Sequence, residues 1–191
     1  MRLWGKAHHI GAVACALVIA VAAELVLGES ATGIPAFVYT STNLVLSLMA
    51  AMPLIVAISV VFDGNESIGV PVRNTGLYDT VAFFGIAGIL FQVGALAMPM
   101  IGYSGICTAL TVLGCGALGI VCSRLFGRKT GGAAGPVYIV LCCLVGTPPM
   151  RQPLPWQFPL ATMPMPSHIL LVLLFVMMMS VIPAHPERRI A

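Results

Sequence analysis

Polar chemistry is confined to a few places in this 191-residue chain. Asp63, Glu66, Arg73 and Asp79 fall within FDGNESIGVPVRNTGLYDT, the most polar stretch of the sequence, which holds three of the six carboxylates. An acidic set with one arginine on a single loop is suited to charge-paired docking of a soluble partner. Gly102-Tyr103-Ser104-Gly105 sets a serine among glycines, and His168 lies far downstream. A serine and a histidine brought together by folding could attack an acyl carbon, the histidine taking the hydroxyl proton. Glu24 and Gln92 interrupt apolar runs. There a carboxylate either binds a proton or cation or snorkels to an interface, and an amide is expected to hydrogen-bond to a neighbouring helix.

Metal and redox chemistry have less to work with. His8 and His9 are adjacent, so they point apart on a helix, and His185 comes from the other end of the chain. No metal site is expected from them. The consecutive Met177, Met178 and Met179 face three directions on a helix, which suits packing better than copper binding. Cys15, Cys107, Cys115, Cys122, Cys142 and Cys143 all lie in or at the ends of apolar runs and read as small apolar packing residues, not as a disulfide framework. The phosphate-cradling pattern GxxxxGK[ST] does not occur, so any nucleotide hydrolysis belongs to a partner, with ATP and magnesium bound there and no cofactor on this chain.

The elements that must position these residues follow from composition. Hydrophobic residues make up 59% of the chain and charged residues 8%, against about a quarter charged in soluble domains. Mean hydropathy is +1.03. The expected class is an all-α integral membrane protein, one polytopic domain with six transmembrane helices. The apolar runs place them at about 10–27, 43–62, 81–98, 103–122, 132–146 and 168–182, each near the length that crosses about 30 Å of hydrocarbon. On the first, Ala12, Ala16, Ala20 and Glu24 recur every four residues and should face protein. Pro53 should kink the second. GGAAGP at 131–136 reads as a hinge before a short fifth span. Residues 147–167 hold seven prolines with Trp156 and Phe158, which excludes a regular helix and suits a surface cap or a re-entrant segment.

Orientation can be counted. With the N-terminus inside, Arg2, Lys6, Arg73, Arg124, Arg128, Lys129, Arg188 and Arg189 are cytoplasmic, against Arg151 alone outside. Basic residues in short loops stay on the cytoplasmic side. Both termini and the polar loop 63–80 are therefore expected in the cytoplasm of a multi-pass plasma-membrane protein, with the Pro-rich cap outside. The net charge of +3 is spread over separate loops and carries no nucleic-acid signal.

Two resemblances bear on function. The order of features is a basic N-terminus, a Pro-containing second span, the acidic and arginine-bearing loop, a Gly-rich fourth span ending in RLFGRK, GPVYIVLCCLVG, and a Pro/Trp-rich segment before the last span. This order is similar to the small six-helix permease subunits of bacterial ABC-type exporters, particularly the compact ones that accompany peptide or lanthipeptide gene sets in actinobacteria. The resemblance implies a homodimer or heterodimer in the bilayer that exports a peptide or other amphipathic substrate. It also implies a coupling helix within Asp63 to Asp79 docked on a cytoplasmic ATPase subunit, and an outer mouth capped by the segment before the last span. The second resemblance is to rhomboid intramembrane proteases, which also have six helices, GxSG on the fourth and a histidine on the sixth. It implies a catalytic dyad of Ser104 and His168. A non-catalytic accessory or immunity protein using the same loop is the third reading.

Overall fold

The computed structural model describes residues 10–27, 42–62, 75–101, 105–145, 153–161 and 163–182. They form α1 (Ile10–Leu27), α2 (Thr42–Val61), α3 (Thr75–Ile101), α4 (Gly105–Phe126), α5 (Arg128–Val145), a 3-10 helix η1 (Pro155–Leu160) and α6 (Pro166–Val181). Among the described residues the secondary structure is entirely helical. By length and hydropathy, Ile106–Phe126 is the one helix among them able to cross a membrane on its own, with a mean hydropathy of 2.0.

Every other element is arranged around that helix. α4 packs on α2, α3, α5, α6 and η1, whereas α1 lies against α2 and touches α3. Its sequence, GICTALTVLGCGALGIVCSRLF, explains why one helix can hold so many neighbours. Small residues occur on several faces, and each makes a notch into which a larger neighbour fits. A methyl group built on Gly116 would stand 3.2 Å from Ile58 of α2 and 3.3 Å from Phe83 of α3. On Gly114 it would stand 2.8 Å from the Phe158 ring of η1 and 3.0 Å from Val172 of α6. The core is completed by Leu54 and Ile55 of α2, Leu90 of α3, Val112, Cys115 and Ile120 of α4 and Ile139 of α5, all nearly or fully buried.

α4 and α5 form an antiparallel hairpin. Gly127 has φ +96°, the left-handed conformation that ends a helix sharply, and its N–H donates to the Ser123 carbonyl at 2.8 Å. Backbone then meets backbone: a methyl group on Gly131 would lie 2.8 Å from the Gly119 carbonyl oxygen. α4 and α6 run parallel, since Gly114 neighbours Val172 and the Arg124 guanidinium reaches the Ile182 carbonyl, a constant offset along both helices.

Several expected boundaries shift. α3 begins at Thr75, so Asp79 belongs to a helix and the polar loop is shorter than 63–80. α3 also continues past Pro99 to Ile101. The glycines read as a hinge at 131–136 lie inside α5, which starts at Arg128 and includes Pro136. Their lack of side chains serves close packing against α4 and outweighs their poor helix propensity. α2 runs through Pro53 without a break in its assignment. On α1, Ala16 and Ala20 are buried as the four-residue spacing implies, but Ala12 is exposed.

The exposed side chains are as apolar as the buried ones. On α6, His168, Val172, Val176 and Met179 form the buried stripe at helical spacing, while Leu170, Leu173, Leu174, Met177 and Val181 point outward. α3 exposes Val81, Phe84, Ile89, Phe91 and Leu96. Lys129 is the only charged residue among the side chains described as exposed.

Candidate functional site

Among the described residues, the buried polar side chains Thr108, Thr111, Gln157 and His168 gather towards the start of α4 and α6, while Ser59 and Ser123 lie at the other end of the bundle. Cys107, Thr108 and Thr111 line the start of α4, and His168 is the third residue of α6. Tyr138 and Cys142 approach the same level from α5, because the antiparallel hairpin carries the later part of α5 back towards the start of α4. η1 descends among them.

That descent is the most specific feature of the site. Phe158 packs against Gly114, the tenth residue of α4, which lies roughly 14 Å along the helix from its start at about 1.5 Å per residue. Gln157, Phe158, Pro159 and Leu160 are all buried. Of the Pro-rich segment, Gln157 to Ala161 are folded into the bundle while Leu154, Pro155 and Trp156 are exposed, an arrangement nearer to the re-entrant alternative than to a cap lying wholly on the surface. Irregular backbone at such depth must have its polar groups satisfied by protein. The Tyr138 hydroxyl donates to the Trp156 carbonyl, and the Cys142 thiol approaches the same oxygen at 3.8 Å. The Leu154 N–H donates to the Gln157 side-chain oxygen at 3.1 Å, and the Gln157 N–H to the Leu154 carbonyl at 2.8 Å. Phe158 stacks on Tyr138 with ring centroids 5.6 Å apart and meets Phe175 of α6 edge-on at 6.3 Å. The element thus joins α5 to α6 through one aromatic cluster.

His168 lies beside this cluster, 1% exposed, with neither Nδ1 nor Nε2 hydrogen-bonded. The hydroxyl of Thr108, 4% exposed, is likewise without a partner, whereas Thr111 donates to the Cys107 carbonyl at 2.9 Å. A buried polar atom without a partner costs about 1–3 kcal/mol, so an imidazole with two such atoms weakens the fold. Replacing His168 by leucine is expected to raise the melting temperature of the detergent-solubilised protein, by an amount equivalent to about 1–3 kcal/mol. A lower melting temperature would show that the imidazole is held by a hydrogen bond in solution.

The other expected site residues are distributed as follows. Asp63, Glu66, Arg73 and Ser104 lie outside the described residues. Asp79 is on the second turn of α3 and Glu24 in the last turn of α1, positions at which the backbone alone is described. Gln92 is exposed on α3 in the single chain. Of the serine and histidine pair, the structure places only His168. Among the described residues no group of three His, Cys, Asp or Glu is arranged to hold a metal ion, and the six cysteines are free thiols.

Two contributors had no signal of their own in the sequence. Tyr138 is an ordinary aromatic until the fold stacks it on Phe158, which the sequence marks only as part of the Pro-rich segment. Arg124 was legible only as a basic flank, yet its Nη1 donates to the Met179 and Ile182 carbonyls at 2.5 and 2.7 Å, closing the far end of α6. Compared with protein-family models, curated proteins and solved structures, the chain matches none.

Proposed function

We propose that the chain is a six-span membrane protein serving as the transmembrane subunit of an ABC-type exporter. The observation that carries this reading is η1, folded back into the bundle between α5 and α6, where exporter permeases of this kind carry their outer cap. The membrane part is supported by the exposed surface. Leucine, isoleucine, valine, phenylalanine and methionine cover the outward faces of the helices, which a bilayer accommodates and water does not. The distribution of basic residues then puts both termini and the polar loop in the cytoplasm, and η1 at the outer end.

The proposed coupling route follows the packing. An ATPase subunit docks on Asp63, Glu66, Arg73 and Asp79. Because Asp79 is part of α3, a push at the loop is delivered to a continuous helix of 27 residues. α3 bears on α4 where Phe83 meets Gly116, and α4 holds Phe158 at Gly114. Movement at the cytoplasmic end is thereby transmitted to the plug at the outer end. ATP and magnesium act on the partner, and two transmembrane subunits form the dimer. A peptide or another amphipathic molecule is the substrate class this reading implies.

The test is purification of the tagged protein from its native host in mild detergent, with the co-purifying ATPase assayed. The combined variant Glu66→Ala, Arg73→Ala, Asp79→Ala is expected to lower ATPase recovery and transport about tenfold, as loss of a charged docking cluster does. Recovery of the wild type without an ATPase, or unchanged recovery and transport in the variant, would overturn the exporter reading.

His168 favours a second reading. A buried imidazole with both nitrogens unpartnered, opening α6, is what a Ser104–His168 hydrolase would hold in reserve as its base. Labelling by a fluorophosphonate in the wild type and its loss in Ser104→Ala would favour this reading over the exporter.

A further inference from the structure

We infer that the α4–α5 turn is a docking surface for anionic phospholipid. This rests on the membrane-spanning reading above and is independent of the exporter and hydrolase readings. The last residues of α4, Leu125 and Phe126, are 52% and 71% exposed. Directly after them come Gly127, Arg128 and the exposed Lys129. The left-handed Gly127 reverses the chain within one residue, and the N–H groups of Thr130 and Gly131 both donate to its carbonyl at 3.1 Å. Exposed Leu125, Phe126 and Lys129 therefore lie together at one corner, with Arg128 opening α5, at the end of the helix around which the others pack.

Charge complementarity identifies the occupant. The sequence contains no Asp or Glu between Thr80 and Pro186, so α4, α5, η1 and α6 offer no carboxylate to Arg128 or Lys129. The nearest candidates in sequence are those of the 63–80 loop, which the proposed topology puts on the same side. An exposed leucine and phenylalanine beside two cations fit an acyl chain and a phosphate on one molecule, and a phospholipid with a net negative headgroup supplies both. Each basic residue near an anionic membrane surface favours binding by roughly five-fold.

The experiment uses the full chain in mild detergent, incubated with equimolar phosphatidylglycerol and phosphatidylcholine of matched acyl chains, and native mass spectrometry to count retained lipids. Phosphatidylglycerol is expected to be retained over phosphatidylcholine by at least roughly five-fold, and Arg128→Gln with Lys129→Gln to bring the ratio close to one. Lys129→Gln alone should leave the melting temperature unchanged, because that side chain is exposed. Equal retention in the wild type would show the charges satisfied within the chain and overturn the inference. So would a preference that survives the double variant, or one abolished by excess inorganic phosphate, which would mark a free-anion site. Failure of the underlying reading looks different: the protein would be released by alkaline extraction of membranes and retain neither lipid.

Discussion

Gly131→Ala is expected to cost about 3 kcal/mol or more and to leave little folded protein after detergent extraction. The reason is where the added methyl would go. It would stand 2.3 Å from Cβ and 2.7 Å from Cα of Ser123, and 2.8 Å from the Gly119 carbonyl oxygen. Two of these three contacts are with backbone, which cannot turn aside as a side chain does. Relief requires α5 to move away from α4, and the displacement does not stay local. A methyl on Gly135 would lie 2.4 Å from Ile55 and 3.1 Å from the Cys115 carbonyl, so the next turn of the hairpin is seated as closely, with α2 included. The control is Gly88→Ala on α3, where nothing lies within 4 Å of the new methyl. Alanine there is expected to be neutral or to stabilise by about 0.5–1 kcal/mol through helix propensity. Thermal unfolding followed by size-exclusion chromatography separates the two. Similar effects of both substitutions would mean that α4 and α5 are not in backbone contact.

The second large effect is expected at Arg124. Its guanidinium donates to the last carbonyls of α6, which have no intrahelical partner of their own. Hydrogen bonds from a charged donor are worth about 1.5–3 kcal/mol each, so Arg124→Gln is expected to lose roughly 3 kcal/mol and to let the end of α6 fray. Arg124→Lys should recover only part of this, since a lysine nitrogen ends one bond short of Nη1, which donates to both carbonyls. Limited proteolysis of the C-terminal tail reads the fraying directly. A tail cut at the same rate in wild type and in Arg124→Gln would place the hold on α6 elsewhere.

Much of the helical layout was legible from apolar runs, because a run long enough for a span also lets the backbone bond within itself. The boundaries were harder where composition and packing disagree. TGLYDT reads as loop, with a glycine and an aspartate in six residues, yet the helix of α3 extends through it since helical hydrogen bonding does not depend on apolar side chains. GGAAGP at 131–136 reads as a hinge for the same propensity reasons. There the missing side chains are what α4 requires, a demand made by residues such as Ser123 and Gly119 that no local window relates to Gly131. His168 was visible as chemistry, but its burial depends on a partner helix some sixty positions away. The descent of η1 was half legible. Proline density excluded a regular helix, while the seat at Gly114 and the Tyr138 hydrogen bond could not be read before the fold was known.

The central place of α4 has a consequence for how the protein is made. Ile58 of α2 and Phe83 of α3 meet at Gly116, so the first three helices are synthesised before the residue that joins them. Until α4 is synthesised, α1 and α2 can pair, whereas α3 lacks its main packing partner. The nascent chain therefore waits as loosely associated helices, exposed to quality-control proteases, and closes when the fourth helix arrives. A stop codon after Ile101 should yield a fragment that is degraded, whereas one after Val145 should leave a fragment in which α4 already holds α2, α3 and α5 together.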